Sequence, residues 1–142
     1  MTDYFLLKGI ENLQDNGLSL QIVSHNFLDK DSEAKKQIAE QAEFLGAVRL
    51  PNTAFGADTG VTTDIVAFRK VPESERENLD KSWAQVQDSD YEGLKVSSYF
   101  ANNPNRVLGE FVEESTQFGK QLGVKDTGKF DADNFDFTPY MI

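Results

Sequence analysis

RLPNTAFGADTGVTTDIVAFRK, residues 49–70, is the stretch of sequence that decides the fold. Its second half, 61–70, is rich in β-branched and aromatic residues, which favour a strand. AVRL at 47–50 predicts a shorter strand, because Pro51 cannot donate the hydrogen bond that would continue it. Polar residues and glycines crowd the segment before Asp64. The stretch could therefore be an active-site loop or the turn of a β-hairpin.

Two further elements are predicted before this stretch. The run LSLQIVS at 18–24 predicts a strand of a sheet covered on both faces, because apolar residues occupy both of its sides. The N-terminal segment predicts a helix that ends at Asn16-Gly17, since glycine suits the left-handed position after a helix. The inward positions of that helix, at helical spacing, are Phe5, Leu6, Ile10 and Leu13.

A second helix is predicted between the strands at 18–24 and 47–50. Asp31 or Ser32 can accept hydrogen bonds from its first amides, and Gly46 can close it after about Leu45. Its inward positions are Ala34, Ile38, Ala42 and Leu45. The residues from 25 to 30 then form a loop. Helix, strand, helix, strand and a connected strand together predict part of an α/β layered sheet.

The second half of the chain is less regular and predicts a small, irregular α+β extension. Residues 72–92 hold seven acids and two bases, which is typical of a solvated surface excursion. A hairpin is predicted over 109–124, and an aromatic tail that packs in part follows it. We therefore divide the chain into an α/β unit at 1–71, the acidic excursion at 72–92, and an extension at 93–142 that packs on the same domain.

Composition excludes several kinds of site. The 142 residues include eleven Phe, enough to bury one hydrophobic core. There is no Cys, which excludes disulfides and thiolate chemistry, and the single histidine, His25, cannot form a histidine metal cluster. The net charge of −10 argues against independent nucleic-acid binding, which needs clustered Lys and Arg. Without a long apolar run or a signal pattern, we expect a cytoplasmic chain that starts at Met1 and contacts no membrane.

Two isolated residues remain as candidates for catalysis, because the sequence carries no phosphate-binding loop and no nucleophile elbow. His25 follows a predicted strand, a position where α/β proteins bind ligands, although a surface or capping histidine is commoner. Asp64 lies within a strand and needs a partner if it is buried. Arg49, Lys70 or the neighbouring threonines could supply that partner. We interpret both residues as structural.

Four linked segments resemble the adenine-specific DNA methyltransferase domain of large helicase-type proteins from phages and conjugative elements. They are YFLLKGIENLQDNGLSLQIVSHNFLDK (4–30), GAVRLPNTAF (46–55), TGVTTDIVAFRK (59–70) and SSYFANNPNRVLGE (97–110). The resemblance runs from Tyr4 to Glu110 and aligns 72–92 only loosely. It implies a partial Rossmann-like methyltransferase sheet with flanking helices. In that sheet 18–24 is the fifth strand, 47–50 the sixth, and 62–68 the seventh, which lies between them.

What the resemblance implies is limited by what the sequence lacks. Such methyltransferases bind S-adenosylmethionine on a glycine-rich loop and hold the target adenine with an Asn-Pro-Pro-Phe or Asn-Pro-Pro-Tyr motif, and neither is present here. The resemblance therefore implies the C-terminal half of the domain, with no activity alone and no catalytic, cofactor-binding or metal-binding residue of its own. In a complete enzyme, Asn52, Thr53, Phe55 and Thr59 would line a substrate cleft.

A half-domain of this kind would leave the outer edge of the strand at 18–24 without a partner. In a complete domain that edge pairs with the fourth strand, and a bare apolar edge invites aggregation. Three groups could cover it: a missing N-terminal methyltransferase half on another chain, a second copy of this chain as a homodimer partner, or residues 93–142 folded over it.

Three functions from different classes are compatible with the sequence. The first is a non-catalytic fragment or split subunit of an S-adenosylmethionine-dependent N6-adenine DNA methyltransferase, in a restriction–modification context. The second is an acidic protein-interaction or anti-restriction protein, whose carboxylates, dense in 72–92, imitate DNA phosphates and block a DNA-binding enzyme. A third is a small-molecule enzyme that uses Asp64 and His25.

Overall fold

A three-stranded sheet forms the centre of the fold in the computed structural model, which describes residues 2–54, 62–116, 119–131 and 133–140. The strands are β1 (Leu18–Ser24), β2 (Ala42–Arg49) and β3 (Thr63–Lys70), in the order β1-β3-β2. Because β3 is antiparallel to both neighbours, β1 and β2 run parallel to each other. The mixed α/β class and the middle position of the third strand are confirmed.

The N-terminal helix, α1 (Thr2–Glu11), is shorter than the sequence predicted. Lys70 ends it, because its Nζ donates to the carbonyl oxygens of Ile10 at 3.2 Å and Glu11 at 2.9 Å. The left-handed residue after the helix is Asn16, with φ 66°, and not the predicted Gly17. Phe5 was also wrong as an inward position, since it is 66% exposed.

The predicted second helix is wrong in its C-terminal part. Ser32 caps α3 (Glu33–Ala39), as one of the two predicted caps, and accepts a hydrogen bond from the Lys35 amide. The helix ends at Ala39, and β2 begins three residues later, at Ala42. Ala42 and Phe44 are buried while Glu43 is exposed, which is the alternation of a strand. A β-bulge then shifts the register between Phe44 and Gly46.

The remaining helices and strands lie outside the three-stranded sheet. The predicted loop after β1 contains one helical turn, α2 (Asn26–Asp29), and α4 (Ser98–Asn102) follows the acidic segment. Two antiparallel hairpins complete the strands: β4 (Val86–Asp88) with β5 (Lys95–Ser97), and β6 (Glu110–Thr116) with β7 (Gly119–Lys125). The hairpin predicted over 109–124 is therefore confirmed. Turns of 3-10 helix lie at Glu73–Glu75, Ser82–Ala84, Pro104–Arg106 and Thr138–Tyr140.

The main hydrophobic core lies on the sheet face that α1 and α3 cover, and its centre is aromatic. Trp83 stacks on Phe44 with ring centroids 5.1 Å apart and packs edge-on against Phe68, also at 5.1 Å. Phe27 joins them from α2. Such ring pairs contribute roughly 0.5–1.5 kcal/mol each beyond their buried area. Trp83 therefore fastens the acidic segment to the core.

A second, smaller cluster lies on the other face of the sheet. Phe130, Phe135, Phe137 and Tyr140 pack there against Val48, Leu50 and Leu108. The partial packing predicted for the aromatic tail is confirmed, but the tail reaches only β2 and its neighbours. On β1, the apolar side chains of Leu18, Leu20 and Ile22 remain 63%, 61% and 55% exposed. The described part of 93–142 does not cover them, and no described strand pairs with the outer edge of β1.

Candidate functional site

A buried cluster of charged side chains lies at the edge of the sheet where β1 and β2 end and β3 begins. His25 directly follows β1, Arg49 is the last residue of β2, and Asp64 is the second residue of β3. Asp29 enters from the last position of α2. The exposed fractions of these four residues are between 0% and 5%, so the sheet and the helical turn bring four polar side chains into the interior.

Arg49 is the centre of this cluster. Its guanidinium donates two hydrogen bonds to Asp64, from Nε to Oδ1 at 2.8 Å and from Nη2 to Oδ2 at 3.0 Å. It donates two more to Asp29, from Nη1 to Oδ2 and from Nη2 to Oδ1, both at 2.9 Å. The ring of Phe100 lies against its plane, with Cζ 4.5 Å from the ring centroid. Arg49 thus joins two carboxylates from different elements.

His25 extends the cluster towards the surface. Its Nδ1 lies 3.1 Å from Oδ2 of Asp29, and because an ionised carboxylate only accepts hydrogen bonds, Nδ1 carries a proton. Its Nε2 lies 3.3 Å from the amide oxygen of Gln121 on β7. The Ser97 amide donates to Oδ1 of Asp29 at 2.8 Å, which ties β5 to the same carboxylate.

The charges of the cluster shift the pKa of each acid in a different direction. Burial would raise the pKa of Asp29, but the charge of Arg49 and the hydrogen bonds from His25, Arg49 and Ser97 together lower it below its usual range. For Asp64, burial outweighs the attraction of Arg49 and raises the pKa. Burial opposes the charge of Arg49 too, yet the two carboxylates raise its pKa, so the guanidinium stays charged.

This geometry favours a structural role for the cluster over catalysis. Asp64 is fully buried and both of its oxygens face Arg49, so neither is available to a substrate. The partner predicted for Asp64 is confirmed as Arg49. Lys70 caps α1 instead, and the Thr62 hydroxyl accepts from the Val124 amide at 3.0 Å. In the described parts of the chain, no three His, Asp or Glu side chains come together to hold a metal ion.

The residues predicted to line a substrate cleft lie only partly within the described structure. The side-chain amide nitrogen of Asn52 donates to the carboxylate of Glu114 on β6. The backbone amide of Asn52 donates to the Val124 carbonyl at 2.8 Å. Thr53 is exposed and its hydroxyl donates to Asp126 at 3.3 Å. Phe55 and Thr59 lie outside the described residues. The side chains of Asn52 and Thr53 contact the β6–β7 hairpin, and their role in a cleft stays a prediction.

The acidic segment 72–92 presents its charge to solvent from an anchored backbone. Its seven acids are all exposed: Glu73, Glu75, Glu77, Asp80, Asp88, Asp90 and Glu92. Trp83, 4% exposed, holds the middle of the segment in the core. The pairing of β4 with β5 holds its C-terminal part.

None of the helices in the described structure has the length and apolarity that crossing a bilayer requires.

The sequence is similar to part of a phage protein. Over 82 residues, 56% of the chain, the sequence is 30% identical to Defense against restriction protein B of Escherichia phage P1. The match spans 4% of that protein, which is therefore far longer than this chain. No family model matches the sequence, and no solved structure matches it. The chain therefore corresponds to a small part of that protein's length.

The sequence interpretation missed the role of Asp29. The sequence predicts no role for Asp29, whereas in the structure its carboxylate links His25, Arg49 and Ser97. One signal was available, because His25 and Asp29 stand four residues apart and would share a face if the segment were helical. The contact with Arg49 had no local signal, since it depends on how β1 and β2 are placed in the sheet.

Proposed function

We propose that this chain is a protein-interaction module that acts against restriction, with the acidic segment 72–92 as its contact surface. The observation that carries the proposal is the exposure of all seven acids of that segment. The similarity to Defense against restriction protein B supports the same context. The partner we infer is a restriction–modification enzyme, and we expect to find both proteins in the cytoplasm.

The chemistry of such a contact follows from how these enzymes bind DNA. Their DNA-binding surfaces carry clustered Lys and Arg that neutralise phosphates, and they release counterions when they do so. A surface with seven acids and two bases within 21 residues carries negative charge, as the phosphates of DNA do. Because Trp83 and the β4–β5 pairing hold the backbone, less conformational entropy is lost on binding than for a disordered acidic tail. The segment would occupy the DNA-binding surface and exclude DNA.

A pull-down against purified restriction–modification subunits tests this proposal. The wild-type chain should retain a subunit, and the retention should fall as salt is raised, since the contact is electrostatic. Neutralising Glu73, Glu75 and Glu77 to Gln should abolish it. Retention of the subunit by this triple variant at the wild-type level would refute the assigned surface.

A matched control removes the same charge elsewhere. Asp15, Glu33 and Glu40 are exposed and lie outside the acidic segment. The variant Asp15→Asn, Glu33→Gln, Glu40→Gln therefore has the same net charge as the test variant. It should retain the subunit like the wild type. Equal loss in both variants would show that overall charge, and not the segment, governs binding.

A second candidate function is the non-catalytic C-terminal half of an N6-adenine DNA methyltransferase domain, and the sheet supplies the observation that favours it. An antiparallel β3 lies between parallel β1 and β2, and the apolar face of β1 is exposed beside an edge with which no described strand pairs. This is the arrangement that the resemblance implies for the end of such a sheet. The partner would be the missing N-terminal half, or a second copy of this chain.

A titration with S-adenosylmethionine can refute this second candidate. The cofactor would bind the complete parent domain and not this chain alone, because the glycine-rich loop is absent. Calorimetric titration of the chain with S-adenosylmethionine should show no heat of binding. Micromolar binding to the chain alone would refute its description as an incomplete half.

A further inference from the structure

A cavity of about 260 Å³ opens beside His25, away from the middle of the acidic segment. Three separate elements form its walls: the turn around α2, the strand end at Gly93, Leu94 and Lys95, and β7 at Lys120 and Gln121. Its lining includes four side chains that carry or can carry positive charge, namely His25, Lys30, Lys95 and Lys120. In a chain of net charge −10, such a grouping is unexpected.

The acidic groups near the cavity leave these cations available. Lys95 pairs with Asp88 and Lys120 with Glu113, and all four side chains are at least a third exposed. Ion pairs between exposed side chains stabilise a fold very little, so a ligand anion can replace the acid at little cost. The described residues provide no ion pair for Lys30. The one acid in the lining, Asp29, has both oxygens bonded to Arg49.

His25 gives the cavity a fixed polar group in its interior. The imidazole is buried, and Asp29 holds it through Nδ1. Its Nε2 faces the Gln121 amide, and both residues line the cavity. An imidazolium donates from Nε2, and a neutral ring can accept there from the amide nitrogen of Gln121. In either form Nε2 is bonded to the Gln121 amide, so the donor that remains available to the cavity is the amide nitrogen of Gln121.

We propose that this cavity binds a small phosphate-bearing anion, with Lys30, Lys95 and Lys120 as the charged ligands and the Gln121 amide, which His25 holds, as the neutral polar contact. Donors that approach from three elements match a tetrahedral anion with several acceptor oxygens, whereas a planar carboxylate is best matched by a single guanidinium. Nucleic acid is a poor fit, because Glu92 directly precedes the wall residue Gly93 and the whole chain repels polyanions.

The single histidine of the chain offers a direct assay, because its ring gives one set of NMR signals. Titration with inorganic phosphate, against sodium chloride at equal ionic strength, should shift those signals along a saturating curve. Lys95→Gln and Lys120→Gln should each weaken the binding by up to about fivefold, since an exposed charge pair contributes up to about 1 kcal/mol. Lys36→Gln serves as the control, because Lys36 is exposed on α3 and lies outside the cavity.

Three results would overturn the proposal. The first is a shift that rises linearly without saturation. The second is a saturating shift that is equal in wild type, Lys95→Gln and Lys120→Gln, because binding would then lie elsewhere. The third is tighter binding of acetate or of a short oligonucleotide than of phosphate, which would assign the cavity to a carboxylate or a nucleic acid. These outcomes are independent of the pull-down, since the lysine variants leave Glu73, Glu75 and Glu77 unchanged.

Discussion

Arg49 and Asp64 face each other across the β2–β3 ladder and are joined by two hydrogen bonds, at 2.8 Å and 3.0 Å. Both residues are fully buried. A buried ion pair is costly to form, because both charges lose their hydration, and it persists when further hydrogen bonds complete its geometry. Asp29 provides them by binding the remaining edge of the guanidinium. The cluster therefore fixes how α2, β2 and β3 fit together.

Arg49→Met should lower the free energy of unfolding by about 3–5 kcal/mol, because it leaves two buried carboxylates without their cation. Urea denaturation followed by circular dichroism measures the change. The matched control is Arg69→Met, since Arg69 lies on the same sheet but is part-exposed and pairs with the exposed Glu43 at 3.0 Å. Arg69→Met should lower the free energy of unfolding by only about 0–1 kcal/mol. Equal losses for the two variants would contradict the structural role of the cluster.

The two acids of the cluster should respond to pH with opposite signs. The pKa of Asp29 is lowered in the folded chain, so its stabilisation is complete above the unfolded value of about 3.9 and is lost as the pH falls through the lowered value. The pKa of Asp64 is raised, so its contribution is present below the unfolded value and is lost as the pH rises through the raised value.

Unfolding free energies of wild type, Asp29→Asn and Asp64→Asn across the acid range measure this difference. On acidification, the gap between wild type and Asp29→Asn should shrink, and the gap between wild type and Asp64→Asn should widen. Gaps that change in the same direction would show that the two carboxylates do not differ as described.

Trp83→Ala should lower the free energy of unfolding by about 3–5 kcal/mol, because it leaves a cavity at the centre of the aromatic core. It should also speed cleavage within 72–92 by a glutamate-specific protease, since the segment loses its anchor. Trp83→Phe is the control. It keeps a ring against Phe44 and removes an indole N–H that is buried without a partner in the described structure, so its cost should be under about 1.5 kcal/mol. Unchanged cleavage in Trp83→Ala would show that the segment is not held by Trp83.

The exposed face of β1 should promote self-association. Replacing Leu18, Leu20 and Ile22 with Thr should change the stability by less than about 1 kcal/mol, because these side chains are exposed, while it reduces association in sedimentation velocity. Val23→Thr, on the buried face of the same strand, should instead destabilise the chain by about 1–3 kcal/mol. Identical sedimentation of wild type and the triple variant at all concentrations would contradict an interface on this face.

The strands were predictable where the sequence pattern has one interpretation. Residues 63–70 include the strand-favouring Thr63, Ile65, Val66 and Phe68, and the structure makes them the central strand. Residues 40–46 were ambiguous, because Ala34, Ile38 and Ala42 stand at helical spacing while Ala42 and Phe44 also stand at strand spacing. The pairing of Phe44 with Phe68 makes this segment a strand, and no local propensity reveals that pairing.

The candidate site was predictable only one residue at a time. His25 and Asp64 stand out as a lone histidine and an acid within a strand, and Arg49 was one of the partners considered for Asp64. These three residues share one cluster with Asp29 only because of the strand order and register. The fold brings together residues as far apart in sequence as Asp29 and Ser97. The lysine-lined cavity is beyond sequence reasoning for the same reason, since three separate elements form its walls.

Inhibition of DNA cleavage tests the central claim most directly. A purified restriction–modification enzyme that the chain retains in the pull-down is given unmodified DNA and increasing amounts of the chain. The account predicts that the wild-type chain slows cleavage in proportion to its concentration, that the control Asp15→Asn, Glu33→Gln, Glu40→Gln inhibits equally, and that neutralising Glu73, Glu75 and Glu77 removes the inhibition. Undiminished cleavage at excess wild-type chain, or equal inhibition by the neutralised variant, would contradict it.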